Sequence, residues 1–387
     1  MDQASAGRRR RQGRLGLVTT RAPFRADQVG SLLRPKPVVE ARERLERGEI
    51  GAEAFRAVED AEIARLIARQ EAIGLRAPTD GECRRRVWSI DFFEPLIGVE
   101  HYSVERGARF KGAAPSRRND VRIVGRLGFP DDHPMLAAFR FLKSHANGTA
   151  KMTIPGPAML HFSRAQQTLA DGVYPDIDAF WADIVAVYRK ALRAFYDAGC
   201  RYLQLDEVVW AHLCSADHRE QARARGEDPD TLPQVYARVT NAILADRPSD
   251  LCVTTHACRG NFRSTWSATG GYEPVAETLL AGIGYDGYFL EYDSERAGGF
   301  EPLRFLPKGD KRVVLGLVTS KFGALENPDQ VRRRIDDASR FVDPSQLCLS
   351  PQCGFASTHE GNLLSEKEQW DKLSLVVGIA HKVWGRD

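Results

Sequence analysis

The chain has 387 residues, 43% hydrophobic and 28% charged, ordinary for a soluble globular enzyme and enough for one barrel-sized domain or two smaller ones. A net charge of +3 is too small to argue for nucleic acid, and no apolar stretch reaches the ~18 residues of a membrane span, so neither is an expected partner. Seven cysteines at irregular spacing argue against a disulfide framework, which makes the cytoplasm the expected compartment and leaves thiols available as ligands.

Residues 1–22, rich in Gly, Arg and Gln, read as a disordered basic tail, and 23–387 as a single catalytic barrel. Phe24 to Ser31 reads as a short strand ending in Gly30-Ser31. Residues 36–46 and 52–74 carry helical periodicity, with Phe55, Val58, Ile63, Leu66 and Ile67 on one stripe. Gly74 to Glu82 reads as strand and loop, Trp88 to Ile97 as an aromatic helix. Residues 100–130 alternate polar and apolar with turn residues and predict an inserted hairpin. Ala150 to Pro157 is a strand ended by Pro-Gly-Pro, followed by a loop that holds Phe162. A helix over 176–198 precedes the strand Arg201 to Glu207, which ends in two acids. A helix near 229–246 leads to the apolar run Leu251 to Val253, which empties into His256-Ala257-Cys258-Arg259-Gly260. The runs 287–293, 312–317 and 347–355 repeat the pattern, with helices near 328–340 and 365–384.

Strand and helix thus alternate about eight times, and the length suits a closed α/β fold, a (β/α)8 TIM barrel with a small inserted hairpin region. No GxGxxG or Walker pattern supports a nucleotide-binding sheet. His256 and Cys258 are two apart, so an extended backbone points both to one face. Imidazole and thiolate together suit zinc. Such a pair alone is weak, because a buried Cys is most often a small hydrophobe. Two further strand-like ends deliver ligand types, Glu291 and Cys353. Barrel chemistry sits at the C-terminal strand ends, where Ser31, Glu82, Asp206, His256, Cys258, Glu291 and Cys353 all fall.

Val29-Gly30-Ser31, Asp80-Gly81-Glu82, Leu203-Gln204-Leu205-Asp206-Glu207, His256-Ala257-Cys258, Glu291 and Cys353 in Pro-Gln-Cys-Gly-Phe, in this order, resemble the C-terminal catalytic barrel of the cobalamin-independent methionine synthase family. The stretches Gly316 to Lys321 and Ser350 to Asn362 look closest to its short, single-barrel members. The resemblance implies a zinc-dependent S-methyltransferase that moves a methyl group to the thiol of homocysteine and so makes methionine. The implied donor is 5-methyltetrahydrofolate or a methylated corrinoid. It also implies a zinc ion held by His256, Cys258, Glu291 and Cys353. Glu82 and Asp206 would take the ammonium of homocysteine, and Gly30-Ser31 its carboxylate. Metal binding deprotonates thiols, so zinc there would hold the incoming sulfur as the nucleophilic thiolate near neutral pH.

Three features depart from that family. The length leaves no room for the second barrel that helps hold polyglutamylated folate in long members. Thr319-Ser320-Lys321 stands where the family has a His after the seventh strand, which makes Lys321 the candidate proton or charge source, alongside Asp206 as a catalytic group. Phe162 stands in for a Trp that faces the pterin. All three concern the donor, while the metal and amino-acid ends are intact. Two alternatives stay open. One is a zinc-dependent alkyltransferase acting on another thiol of coenzyme M type, which lacks the ammonium that Glu82 and Asp206 would take. The other is a non-catalytic zinc-binding barrel. A homo-oligomer stays open as well.

Overall fold

The computed structural model describes residues 21–106 and 116–385. An antiparallel hairpin of β1 (Ile97–Arg106) and β2 (Ser116–Gly128) precedes a parallel sheet in the order β3 (Lys151–Pro155), β4 (Tyr202–Glu207), β5 (Cys252–Ala257), β6 (Gly287–Glu291), β7 (Arg312–Val318) and β8 (Leu347–Pro351). Helices lie between the strands, among them Ile177–Asp197, Leu232–Leu244, Pro328–Ala338 and Glu366–Trp384. Two extended segments close the circle as a (β/α)8 barrel. Residues 24–31 meet β8 through the parallel bridge Ala26–Leu349, with Asp27 N donating to Leu349 O at 3.0 Å. Residues 76–81 meet β3, with Lys151 N donating to Pro78 O at 3.0 Å, and Leu32 N donating to Gly81 O ties the two segments together. Among the described residues, no helix is long and apolar enough to cross a membrane.

The expected strand at Phe24 to Ser31 forms only that one bridge. The reason is local: Asp27 accepts from the backbone of Phe24 and Gln28, so two donors that a ladder needs are bonded to a side chain. Residues 1–20 of the expected basic tail lie outside the described residues. Its last two do not behave as a tail, since Arg21 pairs with Asp286 at 3.2 Å and Ala22 is buried beside Phe24 and Tyr202.

Side-chain alternation divides the strands between two environments. Met152, Ile154, Leu203, Leu205, Val253, Leu290, Val313, Leu315, Leu347 and Leu349 join the large core shared with the helices. The alternate residues fill the barrel: Val29, Phe289, Val314 and Cys348 form a separate small cluster. Polar residues take the rest of that interior, and they lead upward to Asp206, His256 and Glu291 at the C-terminal ends.

At the other end Lys151 is fully buried. Its ammonium donates to Asp27 Oδ1 at 3.2 Å and to Gln28 O, over the Phe289 ring at 3.9 Å. Asp27 also accepts from the Tyr202 hydroxyl at 2.8 Å. This pair fastens the irregular first segment to β3. Lys151→Met is therefore expected to destabilise the fold by about 3–5 kcal/mol, because it strands a buried carboxylate. Urea unfolding measures this, and a loss below ~1 kcal/mol would remove the pair from the account of barrel closure.

Candidate functional site

β5 ends by presenting His256, which lies across from Asp206 on β4 and Phe289 on β6. Cys258 N donates to Glu207 O at 2.9 Å, which carries the pairing one residue past β5 and aims Cys258 onto the rim. Glu291 ends β6 opposite Gly316 on β7. A Cβ on Gly316 would lie 2.7 Å from Gln352 Cα and 2.9 Å from Leu290 O, so only glycine lets the turn that carries Cys353 approach β6 this closely. Gly354 is similarly constrained, with Ser31 Oγ 2.0 Å from where its Cβ would sit.

One ligand atom from each of His256, Cys258, Glu291 and Cys353 lies within 4.8 Å of the others. The two sulfurs are 3.6 Å apart. The hydrogen bond from Cys258, aided by His256, holds the Cys353 thiol well below its usual range, and the same bond keeps the proton on Cys258. Neither nitrogen of buried His256 has a hydrogen-bond partner, nor does Glu291 Oε2. Burial lowers the imidazole, but the field of Cys353, Asp206 and Glu291 prevails and leaves it raised to about 9. A buried group that pulls protons in and leaves donor atoms unpaired is one that a thiophilic cation would satisfy. The donor set therefore fits zinc.

Glu82 and Asp206 sit beside this cluster. Glu82 adopts the left-handed φ of 57°, uncommon for a residue with a side chain, and its Oε1 accepts from Thr153 Oγ1 at 2.7 Å. Asp206 accepts from Gln204 Nε2 at 2.7 Å. Burial, with Glu82 nearby, pushes the Asp206 carboxyl up to about 7, against the pull of His256. Glu82 Oε2 has no hydrogen-bond partner. Ser31 is buried against Gly354, with Ala356 N donating to its hydroxyl at 3.4 Å. Glu207, the second acid of its pair, turns away and accepts from Ala158 N at 3.2 Å.

Ser31, Glu82, Asp206, His256, Cys258 and Cys353 all line one chamber of about 1090 Å³. That volume exceeds what one amino acid needs, leaving space for a second molecule. Phe162 lines it too, but on the helix Ala158–Ala170 and not on a loop, since the helix starts directly after Gly156-Pro157. Lys321 does not line the chamber. It is fully buried, and its ammonium donates to Gly260 O at 3.2 Å, Asn261 Oδ1 at 3.4 Å and Thr265 O at 3.1 Å. Lys321 thus braces the loop that follows Cys258.

Several chamber residues carry no clear signal in the sequence. His212 and His218 stack at 4.0 Å across two short helices, Val209–Cys214 and Ala216–Ala224, and Phe162 packs on His212 at 4.8 Å. Three arginines of the wall are engaged by acids: Arg86 with Glu46 at 3.4 Å, Arg164 with Asp120 at 2.5 Å and Arg225 with Glu227 at 2.8 Å. A His pair six apart was the available signal for the first, while the ion pairs have none in the sequence.

The family model for the cobalamin-independent synthase catalytic domain matches residues 24–381. The uncharacterized protein YxjH of Bacillus subtilis (strain 168) is 52% identical over 365 residues, covering 94% of this chain and 96% of its own. A methionine synthase of Pyrococcus abyssi is 25% identical, covering 90% of this chain and 89% of its own. The crystal structure of a putative vitamin-B12-independent methionine synthase from Listeria monocytogenes superposes with a TM-score of 0.76 at 42% identity, covering 95% of this chain and all of that one. A chain with these residues on these strand ends belongs to the cobalamin-independent synthase family, of which it spans the catalytic domain.

Proposed function

We propose that the protein is a zinc-dependent methyltransferase that transfers a methyl group to the thiol of homocysteine and releases methionine. The observation that carries this reading is the convergence of His256, Cys258, Glu291 and Cys353 within 4.8 Å at a chamber whose wall also carries Glu82 and Asp206. A zinc ion bound by those four residues supplies the Lewis acidity that keeps an incoming sulfur as thiolate. Glu82 and Asp206 take the ammonium of homocysteine, and Ser31 orients its carboxylate. Glu82 Oε1 already lies 3.4 Å from Arg85 Nη1, so the ammonium adds a second positive charge there and, among the described residues, the first ion-pair partner for buried Asp206. It favours the ionised forms of both acids and fixes the sulfur toward the metal. These acids also set homocysteine apart from thiols that carry no amino group.

The donor, 5-methyltetrahydrofolate or a methylated corrinoid, takes the rest of the chamber beside Phe162. The wall arginines are already paired with acids, which leaves little charge for a polyglutamate tail. Lys321, spent on three oxygens of the 260–265 loop, serves here as a brace and not as a proton source. The test is methionine formation by the zinc-loaded protein from homocysteine and a panel of donors: mono- and triglutamyl methyltetrahydrofolate and methylcobalamin. Turnover is expected with a simple donor and to be weaker with the triglutamate. No methionine from any donor, with no effect of homocysteine on the metal, refutes the reading.

A further inference from the structure

Glu291 is wholly buried, and its two carboxylate oxygens face different partners. Oε1 accepts from Arg259 N at 2.8 Å and lies 3.9 Å from His256 Nε2, on the side of the metal ligands. Oε2 has no hydrogen bond and lies 3.8 Å from Arg296 Nη2. Leaving a buried carboxylate oxygen without a donor is costly. The cation that can relieve it is already in place, and the terminal torsion of a glutamate is soft enough to close the gap.

Arg296 is itself fixed from two directions. Its Nη2 bonds Asp293 at 2.7 and 3.0 Å, and its guanidinium lies 4.9 Å over the ring of Trp266. Trp266 lines the substrate chamber, so an occupant of the chamber touches the platform on which Arg296 rests. Arg296 Nε is buried without a hydrogen bond, so the guanidinium has donor capacity unspent.

Of the four candidate ligands, the carboxylate has the least affinity for a metal that prefers sulfur and nitrogen. An added thiolate also brings a further negative charge against it. We propose that Arg296 is the positioning residue for Glu291: it offers the carboxylate a second seat away from the sulfurs and so sets how readily Glu291 yields to an incoming thiol. This rests on the thiol-activating reading above. In the exchange the Glu291 carboxylate stays anionic, paired with Arg296, and the thiol proton leaves to water in the chamber. Asp293 competes with Glu291 for Arg296, so it restrains the exchange.

The experiment uses the full chain loaded with cobalt(II). Metal affinity is read by chelator competition, homocysteine entry by the thiolate-to-metal absorption band, and folding by circular dichroism. Arg296→Met is expected to hold the metal as tightly as the wild type or tighter, while homocysteine affinity at the metal falls about tenfold or more, the worth of one charge-assisted contact. Arg296→Lys keeps the charge without the fork and is expected to fall between. Asp293→Asn frees Arg296 and is expected to strengthen homocysteine entry, an opposite sign that a merely structural role does not produce. Unchanged homocysteine binding in both Arg296 variants, or weaker binding in Asp293→Asn, overturns the inference. Loss of metal from a folded Arg296→Met overturns it as well. If the wild-type protein itself shows no homocysteine-dependent band, the thiol-activating reading falls first and takes this inference with it.

Discussion

Cys353→Ser and Cys258→Ser are each expected to weaken zinc binding by about 10²–10³-fold. A four-ligand structural zinc site is worth roughly 10–16 kcal/mol, so one ligand carries about 3–4 kcal/mol, and a serine hydroxyl replaces little of it. The other cysteines provide the contrast. Burial pushes the thiols of Cys83, Cys200 and Cys214 up to about 12, where no thiolate forms near neutral pH. Cys353 is shifted the opposite way by its bond from Cys258 and by His256. Cys214→Ala and Cys348→Ala should therefore keep the full metal content, whatever they cost in packing. Chelator competition on the four purified variants decides the matter. Equal zinc affinity in Cys353→Ser, Cys258→Ser and the wild type would falsify the ligand assignment.

How much of this was legible in the sequence follows from the range of the forces involved. The His256 strand end could be read because its apolar run and its two-residue alternation are local. The helices at Lys36–Glu46, Ala52–Ala72, Ile177–Asp197 and Glu366–Trp384 could be read for the same reason. The hairpin is also local, and β1 pairs with β2 where alternation and turn residues placed it. That the barrel closes was legible from the count of strands and helices, but the contacts that close it were not. Closure rests on Lys151 reaching Asp27, 124 residues away, and on Asp27 capping backbone donors that would otherwise sit in a ladder. The helix Ala158–Ala170 was hidden because Gly156-Pro157 reads as a loop signal, although proline is well suited to the start of a helix. The helix at Val209–Cys214 buries all six of its residues, so no polar face gives it a period. That the Lys321 ammonium turns away from the chamber was hidden for a related reason. Its position after the seventh strand is evident, but which way an ammonium points is decided by the oxygens of a loop some 60 residues away.

The acceptor end gives the second large effect. Glu82→Gln combined with Asp206→Asn is expected to weaken homocysteine binding by about 10²–10⁴-fold, since each charge-assisted contact to an ammonium is worth about 1.5–3 kcal/mol. Each single variant should lose about tenfold or more, with less than full additivity because both acids face one ligand. Zinc affinity should be retained, as neither residue is among the four metal-ligand candidates. A thiol acid identical to homocysteine but lacking the amino group should bind all these proteins alike. The wild type should also show a steeper pH dependence than Asp206→Asn. Burial pushes the Asp206 carboxyl up to about 7. Below that pH it holds a proton and no longer pairs with the ammonium as an ion, so affinity falls as the pH drops from 8 to 6. Asp206→Asn has no such proton to take up, so its weaker binding keeps only the dependence that release of the thiol proton imposes and should be shallower across the same range. Isothermal titration at several pH values measures both effects. Unchanged homocysteine affinity in the two single variants means that the amino group points elsewhere in the chamber. Ser31 and the stacked His212–His218 wall then become the place to seek it.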